Sequence, residues 1–169
     1  MMQVELNMRR KAQALNETEI RRVLQRCDYG VLCLCGSDGM PYGVPLNYVF
    51  IEDCFYFHCA VAGEKLGLIG ENAKASLTVV DVSRVIPETF STDYISVIAF
   101  GEVAVVKEES ERFRAISQIA AILGIDDKDA QQKEVASAID RTAILKLTPL
   151  RFSGKCGLEV AKHKADFQL

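Results

Sequence analysis

Tyr29-Gly30-Val31-Leu32-Cys33-Leu34-Cys35, the turn Gly36-Ser37-Asp38-Gly39, the run Pro41 to Phe50, then Glu52-Asp53 and Cys54-Phe55-Tyr56-Phe57-His58-Cys59 form the stretch that decides the fold. Aromatic and β-branched runs separated by turns of the Asp-Gly kind are the pattern of consecutive antiparallel strands, here a meander of three. Upstream, Asn16-Glu17-Thr18-Glu19 fits a capping box, and Ile20, Val23, Leu24 and Cys27 follow at helical spacing, so a helix is expected over 17–26. Downstream, residues 63–70 suit a short crossover helix of about two turns. A fourth strand is expected over Ala75–Asp81, a loop around Pro87 over 82–93, and a long β run over Tyr94–Val106 with a bulge or bend at Gly101. Phe113, Ile116, Ile119, Ala120 and Leu123 share one face of a helix over 110–123 that ends at Gly124, and a weaker helix is expected over 128–138. Thr142–Thr148 alternates as a last strand, which Pro149 is expected to end. Short strands in turn-linked succession, with helices outside the run, imply a mainly β chain folded as a small antiparallel barrel flanked by helices. Side chains fill the interior of such a barrel, so a ligand must bind on its outer wall or at a subunit contact.

Composition sets the limits. The chain of 169 residues suits one domain, with a core over about 17–155 and a C-terminal arm over 150–169. At 49% apolar and 25% charged it can close a core without staples. Twenty Lys and Arg against 23 Asp and Glu leave a charge of −3 with no block of either sign, which argues against a nucleic-acid partner. No run approaches the ~18 apolar residues of a membrane span, and residues 1–7 lack a signal-peptide core. The expected location is the cytoplasm, with no membrane partner. In that reducing compartment Cys27, Cys33, Cys35, Cys54, Cys59 and Cys156 read as free thiols.

The segment carrying the most chemistry is His58-Cys59-Ala60-Val61-Ala62-Gly63-Glu64-Lys65, between a strand end and the start of the short helix. N–H groups at a helix mouth favour anions, Gly63 permits close backbone approach, and Lys65 adds a point charge, together a cradle for a phosphomonoester. The same Gly-x-Lys spacing also fits a solvated turn, and His58 also fits a satisfied barrel histidine.

The order Asp38-Gly39-Met40-Pro41-Tyr42-Gly43-Val44-Pro45-Leu46-Asn47-Tyr48, then Phe55 to Ala60 with Gly63 and Lys65, then Ser96-Val97-Ile98-Ala99-Phe100-Gly101-Glu102-Val103, resembles the flavin-binding split-barrel superfamily typified by pyridoxamine 5′-phosphate oxidase. Within it the sequence is most similar to the nitroimidazole-resistance (Nim-type) proteins, and the resemblance spans about residues 27–155. It implies a homodimer with FMN at the subunit interface. Pro45, Leu46, Asn47 and Tyr48 would then run against the isoalloxazine ring, mainly by backbone contact. His58, Cys59 and Ala60 would meet the ribityl chain, Gly63 and Lys65 would hold the phosphate, and Ser96 would approach from the other subunit. Ser153-Gly154-Lys155 looks like the family's C-terminal arm, although Cys156 stands where a second basic residue is common. The arginines expected to grip substrate phosphate in the pyridoxamine enzymes are missing, which disfavours vitamin B6 oxidation.

The resemblance thus implies an FMN-dependent oxidoreductase reducing a small organic acceptor, such as a nitroimidazole or nitroaromatic, with NAD(P)H as one candidate donor. A non-enzymatic flavin- or haem-binding protein on the same fold is the alternative. A flavin carries its own redox chemistry, which suits a sequence with no Ser/His/Asp triad motif. No Gly-x-Gly-x-x-Gly opens a helix, so a nicotinamide would bind only transiently over the flavin. His58 is the candidate catalytic residue, as a proton donor to the acceptor or the flavin edge. No metal site is expected: Cys54, His58 and Cys59 lack a second ligand pair, and neighbouring strand residues face opposite ways. Cys33 and Cys35 share a strand face and read as core filling, His163 reads as solvated, and Glu108, Glu109 and Glu111 suit a helix start.

Overall fold

The computed structural model describes residues 8–124, 137 and 141–169. The capping box forms as the spacing predicts: Glu19 N donates to Asn16 Oδ1 at 3.0 Å, Asn16 N donates to the Glu19 carboxylate at 2.8 Å, and α1 runs Glu17–Arg26. The strands are β1 (Tyr29–Cys35), β2 (Pro41–Asn47), β3 (Val49–Ile51), β4 (Cys54–Ala60), β5 (Lys74–Ile86), β6 (Ser91–Val105) and β7 (Thr142–Cys156). Helix α2 (Glu64–Glu71) joins β4 to β5, α3 (Glu109–Ile122) follows β6, and α4 (Leu158–Lys162) follows β7. The expected weaker helix over 128–138 lies almost wholly outside the described residues.

All seven strands form one antiparallel sheet in the order β2-β1-β5-β6-β7-β4-β3. The three-strand meander is therefore corrected to two hairpins, β1–β2 and β3–β4, at opposite ends of the sheet. The run 41–50 is two strands, because it leaves β1 at Asn47 and joins β4 at Val49. Tyr48 at the crossing is buried, its N–H donating to Asp28 O at 2.8 Å and its hydroxyl to Leu24 O at 3.0 Å. The sheet curls until β2 meets β4 without a ladder between them, and Leu32, Phe55, Phe57, Leu77, Val97 and Leu145 fill one interior. The barrel is closed by contact and split along one seam.

Two further expectations fail for the same reason, sheet pairing overriding a local breaker. Residues 82–86 and 91–93 extend β5 and β6 as a hairpin, leaving only Pro87–Thr89 as a single turn. Pro149 does not end β7: it sits opposite Gly101 at the bulge, and the strand continues to Cys156. The bulge itself falls at Gly101 as expected, where a Cβ would lie 2.1 Å from Thr148 O, so only glycine fits. Residues 150–156 of the expected arm are thus strand. The rest of the arm folds back onto α1, with Lys164 Nζ on the Glu19 carboxylate at 2.7 Å and Arg26 Nη1 donating to Phe167 O at 3.0 Å.

Helix α3 packs Ala115, Ile116, Ile119 and Ala120 on the outer wall around Tyr56 and Ile144. Phe113 and Leu123, expected on that face, are exposed. Cys33 and Cys35 are on the outside of β1, opposite the inward Leu32 and Leu34, so they are not core filling.

Candidate functional site

The seam follows from the break at Tyr48. Residues 58–60 pair with Ile144, Ala143 and Thr142 of β7 on one side and have no strand partner on the other. Alternate backbone amides of that segment therefore face the seam. Across it, β2 turns Tyr42, Val44 and Leu46 toward the core and leaves Pro41, Gly43 and Pro45 exposed. An edge strand tolerates these prolines, and its outer face offers a flat wall without bulky side chains. Leu46 and Tyr48 point inward, and Asn47 Nδ2 donates to Asp28 O at 3.2 Å, so this wall presents backbone more than side chain.

At the end of β4 the chain turns through Gly63, whose φ of +137° suits glycine, into α2. Helix α2 is fixed at its far end, where Glu71 accepts from Ser37 N at 2.9 Å and Asn72 Nδ2 donates to Cys35 O at 3.0 Å. Lys65, in its first turn, is half-buried and makes no ion pair with any described residue. Leu66 N donates back to Gly63 O at 3.0 Å, which leaves the N–H groups of Glu64 and Lys65 without an acceptor inside the helix.

His58 and Cys59 face opposite ways, as alternation requires. Cys59 is buried in the barrel, and burial raises its thiol pKa while the Lys65 ammonium pulls it back. Cys27 is pushed up to about 12, by burial first and then by the Asp81 carboxylate. Both thiols stay protonated at neutral pH and are poor nucleophiles. His58 lies on the outer side of β4, and its Nδ1 is buried with no hydrogen-bond partner. Buried polar atoms are nearly always paired, so this nitrogen is suited to meet a ligand. Among the described residues no three His, Cys, Asp or Glu groups converge on a point that could hold a metal.

The structure sets β2, which carries Pro45, Leu46 and Asn47, against β4, which carries His58, Cys59 and Ala60, and places the Lys65 ammonium close enough to Cys59 to act on its thiol. It does not bring Ser96 there: Ser96 sits on the outer face of β6, between Val80 and Lys155. Lys155 lies in β7 with its ammonium 5.9 Å from the Tyr94 ring centroid, so Ser153-Gly154-Lys155 is not a separate arm. Sequence reasoning missed two features nearby. Tyr56, Glu111 and Lys146 form a network in which the phenol and the ammonium each donate to Glu111 at 2.7 Å. Lys107 and Arg112 border a groove beside the start of α2. Only the three-dimensional crossing of β4, β7 and α3 brings these groups together.

A split antiparallel barrel with a lysine at the mouth of a short helix and an open strand edge beside it defines the class. Residues 16–156 match the pyridoxamine 5′-phosphate oxidase family, and the chain belongs to that family. No curated protein sequence matches it. Among solved structures it is similar to a candidate 5-nitroimidazole antibiotic resistance protein of Bacteroides thetaiotaomicron, 19% identical with TM-score 0.69 over 85% of this chain and 86% of that one. It is also similar to a FAD-binding protein of Mesorhizobium loti, 21% identical with TM-score 0.66 over 86% of this chain and 97% of that one. The haem storage protein HutZ of Vibrio cholerae is 15% identical with TM-score 0.63 over 85% of this chain and 97% of that one. At these identities the likeness is one of fold.

Proposed function

We propose that the chain is a flavin-dependent oxidoreductase that works as a homodimer, holds the FMN moiety in the seam and passes electrons to a small organic acceptor such as a nitroaromatic. The observation that carries this reading is Lys65, half-buried at the mouth of α2, beside a strand edge bearing the buried Nδ1 of His58, neither of them with an ionic or hydrogen-bond partner among the described residues. Family membership supports it. Bound flavin supplies the redox chemistry, and the protein has to bind, orient and shield it.

Each residue has a part that its placement allows. Lys65 and the first-turn N–H groups after Gly63 hold the phosphate. The backbone of Pro45, Leu46, Asn47 and Tyr48 forms the wall for the ring, and the smallness of Ala60 leaves room at the strand end. Cys59 contributes backbone, because its thiol belongs to the core. His58 holds a proton at the seam for delivery to the reduced acceptor or the ring edge. Ser96 reaches the site only from a second copy, whose outer sheet face would cover the first. NAD(P)H is the proposed donor, binding transiently.

Purified protein tests this directly. It should be yellow, release flavin on acid treatment, and consume a nitroaromatic with NADH or NADPH while the flavin band bleaches. A yellow protein that fails to reduce the acceptor with every reductant tried would be a flavin binder and not an oxidoreductase. A Soret band in place of flavin peaks would favour haem, for which His58 Nδ1 is the available ligand atom. A chain that takes up neither chromophore would reject the reading.

A further inference from the structure

Of the cysteines, Cys59 and Cys156 are buried, Cys27 packs against the barrel core and Cys54 against the cluster under α3. Cys33 and Cys35 belong to neither: they stand half-buried on the outside of β1, two residues apart on one face. Pro41 pairs with Cys35, so Met40 lies one step further along the same hairpin, in the turn, 67% exposed. We infer that these three sulfur groups form a binding site for one soft monovalent metal ion of the Cu(I) kind. The inference does not rest on the flavin reading, whose ring wall of Pro45–Tyr48 lies at the far end of β2.

Two residues of a strand rise ~6.7 Å, so the Cβ atoms of Cys33 and Cys35 are too far apart for a disulfide, which needs about 3.5–4.5 Å. Two metal–thiolate bonds of about 2.3 Å each bridge such a gap. Room for an ion exists, because the β2 residue opposite Cys33 is Gly43, where even an added Cβ would meet, among the described residues, only Val31 Cγ1 at 3.5 Å. Cys33 Sγ donates to Val31 O at 3.8 Å and Cys35 Sγ to Gly36 O at 3.6 Å. Both contacts are long and local, and a rotation about χ1 gives them up at small cost. The turn that carries Met40 is held: Met40 N donates to Asp38 Oδ1 at 2.9 Å, Gly39 N to Gly36 O at 3.1 Å, and Ser37 N to the Glu71 carboxylate at 2.9 Å. From that fixed backbone an unbranched thioether side chain can reach back over the thiols.

The ligand set selects the ion. Among the described residues no third His, Cys, Asp or Glu joins the pair, so a four-ligand zinc ion or an iron–sulfur cluster is not served. Thiolates with a thioether select Cu(I), a soft ion that accepts a low coordination number. Binding exchanges two S–H bonds for two S–Cu bonds, releases two protons and changes no oxidation state.

Anaerobic titration of the full chain with Cu(I), in competition with a coloured Cu(I) chelator, tests the site. One ion per chain should resist the chelator, and zinc should not displace it. Cys33→Ser and Cys35→Ser should each weaken binding by about a hundredfold or more, and Met40→Leu by about tenfold. Cys54→Ser, at a half-buried thiol outside the cluster, should change nothing. X-ray absorption at the copper edge should show three sulfur neighbours, and two in Met40→Leu. Thermal melting checks that each variant is folded. No retained ion, displacement by zinc, full binding with both Cys33 and Cys35 replaced by serine, or copper spectra unaltered by Met40→Leu would each overturn the three-sulfur site, whatever the flavin content.

Discussion

Lys65 concentrates the functional argument in one side chain. Its ammonium has no ion pair with a described residue to lose, so Lys65→Ala should leave the melting temperature of the flavin-free protein unchanged. The same substitution should weaken FMN binding by about ten- to a hundredfold, the scale of one charged hydrogen bond to phosphate, as fluorescence titration would show. Gly101 is the opposite case, structural and without a ligand. Its missing Cβ makes room for Thr148 O at 2.1 Å, so Gly101→Ala must move backbone in both β6 and β7. A loss of roughly 2–4 kcal/mol in denaturant unfolding is expected. Both residues were legible in sequence, Lys65 by its spacing from His58 and Gly63, and Gly101 as a glycine inside a β run. The unpartnered Nδ1 of His58 was not, because a buried nitrogen without a partner is a property of the packed seam.

Elements show where local signals end. Capping and strand alternation specify α1, β1 and β4 closely, since each depends on neighbours in sequence. The proline at 149 and the turn chemistry at 82–93 misled because β5, β6 and β7, at 13, 15 and 15 residues, have ladder partners that outweigh a local breaker. The β5–β6 tip retains a mark of that conflict: Phe90 has φ of +50° and is fully exposed. Phe90→Gly loses no packing, relieves a left-handed backbone, and should raise stability by about 0.5–1 kcal/mol in thermal or chemical denaturation. Between α3, β4 and β7, the hydrogen bond from Lys146, followed by that from Tyr56, holds the Glu111 carboxyl below its ordinary range. A carboxylate lowered in the folded state stabilises fully above its unfolded pKa of about 4.3 and loses that contribution as pH falls toward the folded value. Glu111→Gln should therefore be less stable than wild type at pH 7, with the gap narrowing below about pH 4.

For the whole molecule, the outer face of β1, β5, β6 and β7 matters most. Val31, Cys33, Thr78, Ile98 and Ser153 stand side by side there, half-buried, with the packed helical faces described above lying elsewhere. If this face joins two copies, Ile98→Glu should convert a dimer to a folded monomer in sedimentation and lower flavin content with it, because Ser96 lies on the same face. A variant that stays dimeric with full flavin content would place the subunit contact elsewhere. At this scale the sequence disclosed the family and its barrel, whereas the strand order depended on pairings between residues far apart in the chain.

Tyr48 fastens the crossing from β2 to β3 onto the rest of the molecule. Its phenol is pegged to Leu24 O in the last turns of α1, so a helix, and not a glycine or proline, sets how far β2 swings from β4. If the seam holds a ligand as proposed, changes where α1 meets that ring would shift the seam's width from outside it. One scaffold can in this way come to admit occupants of different size.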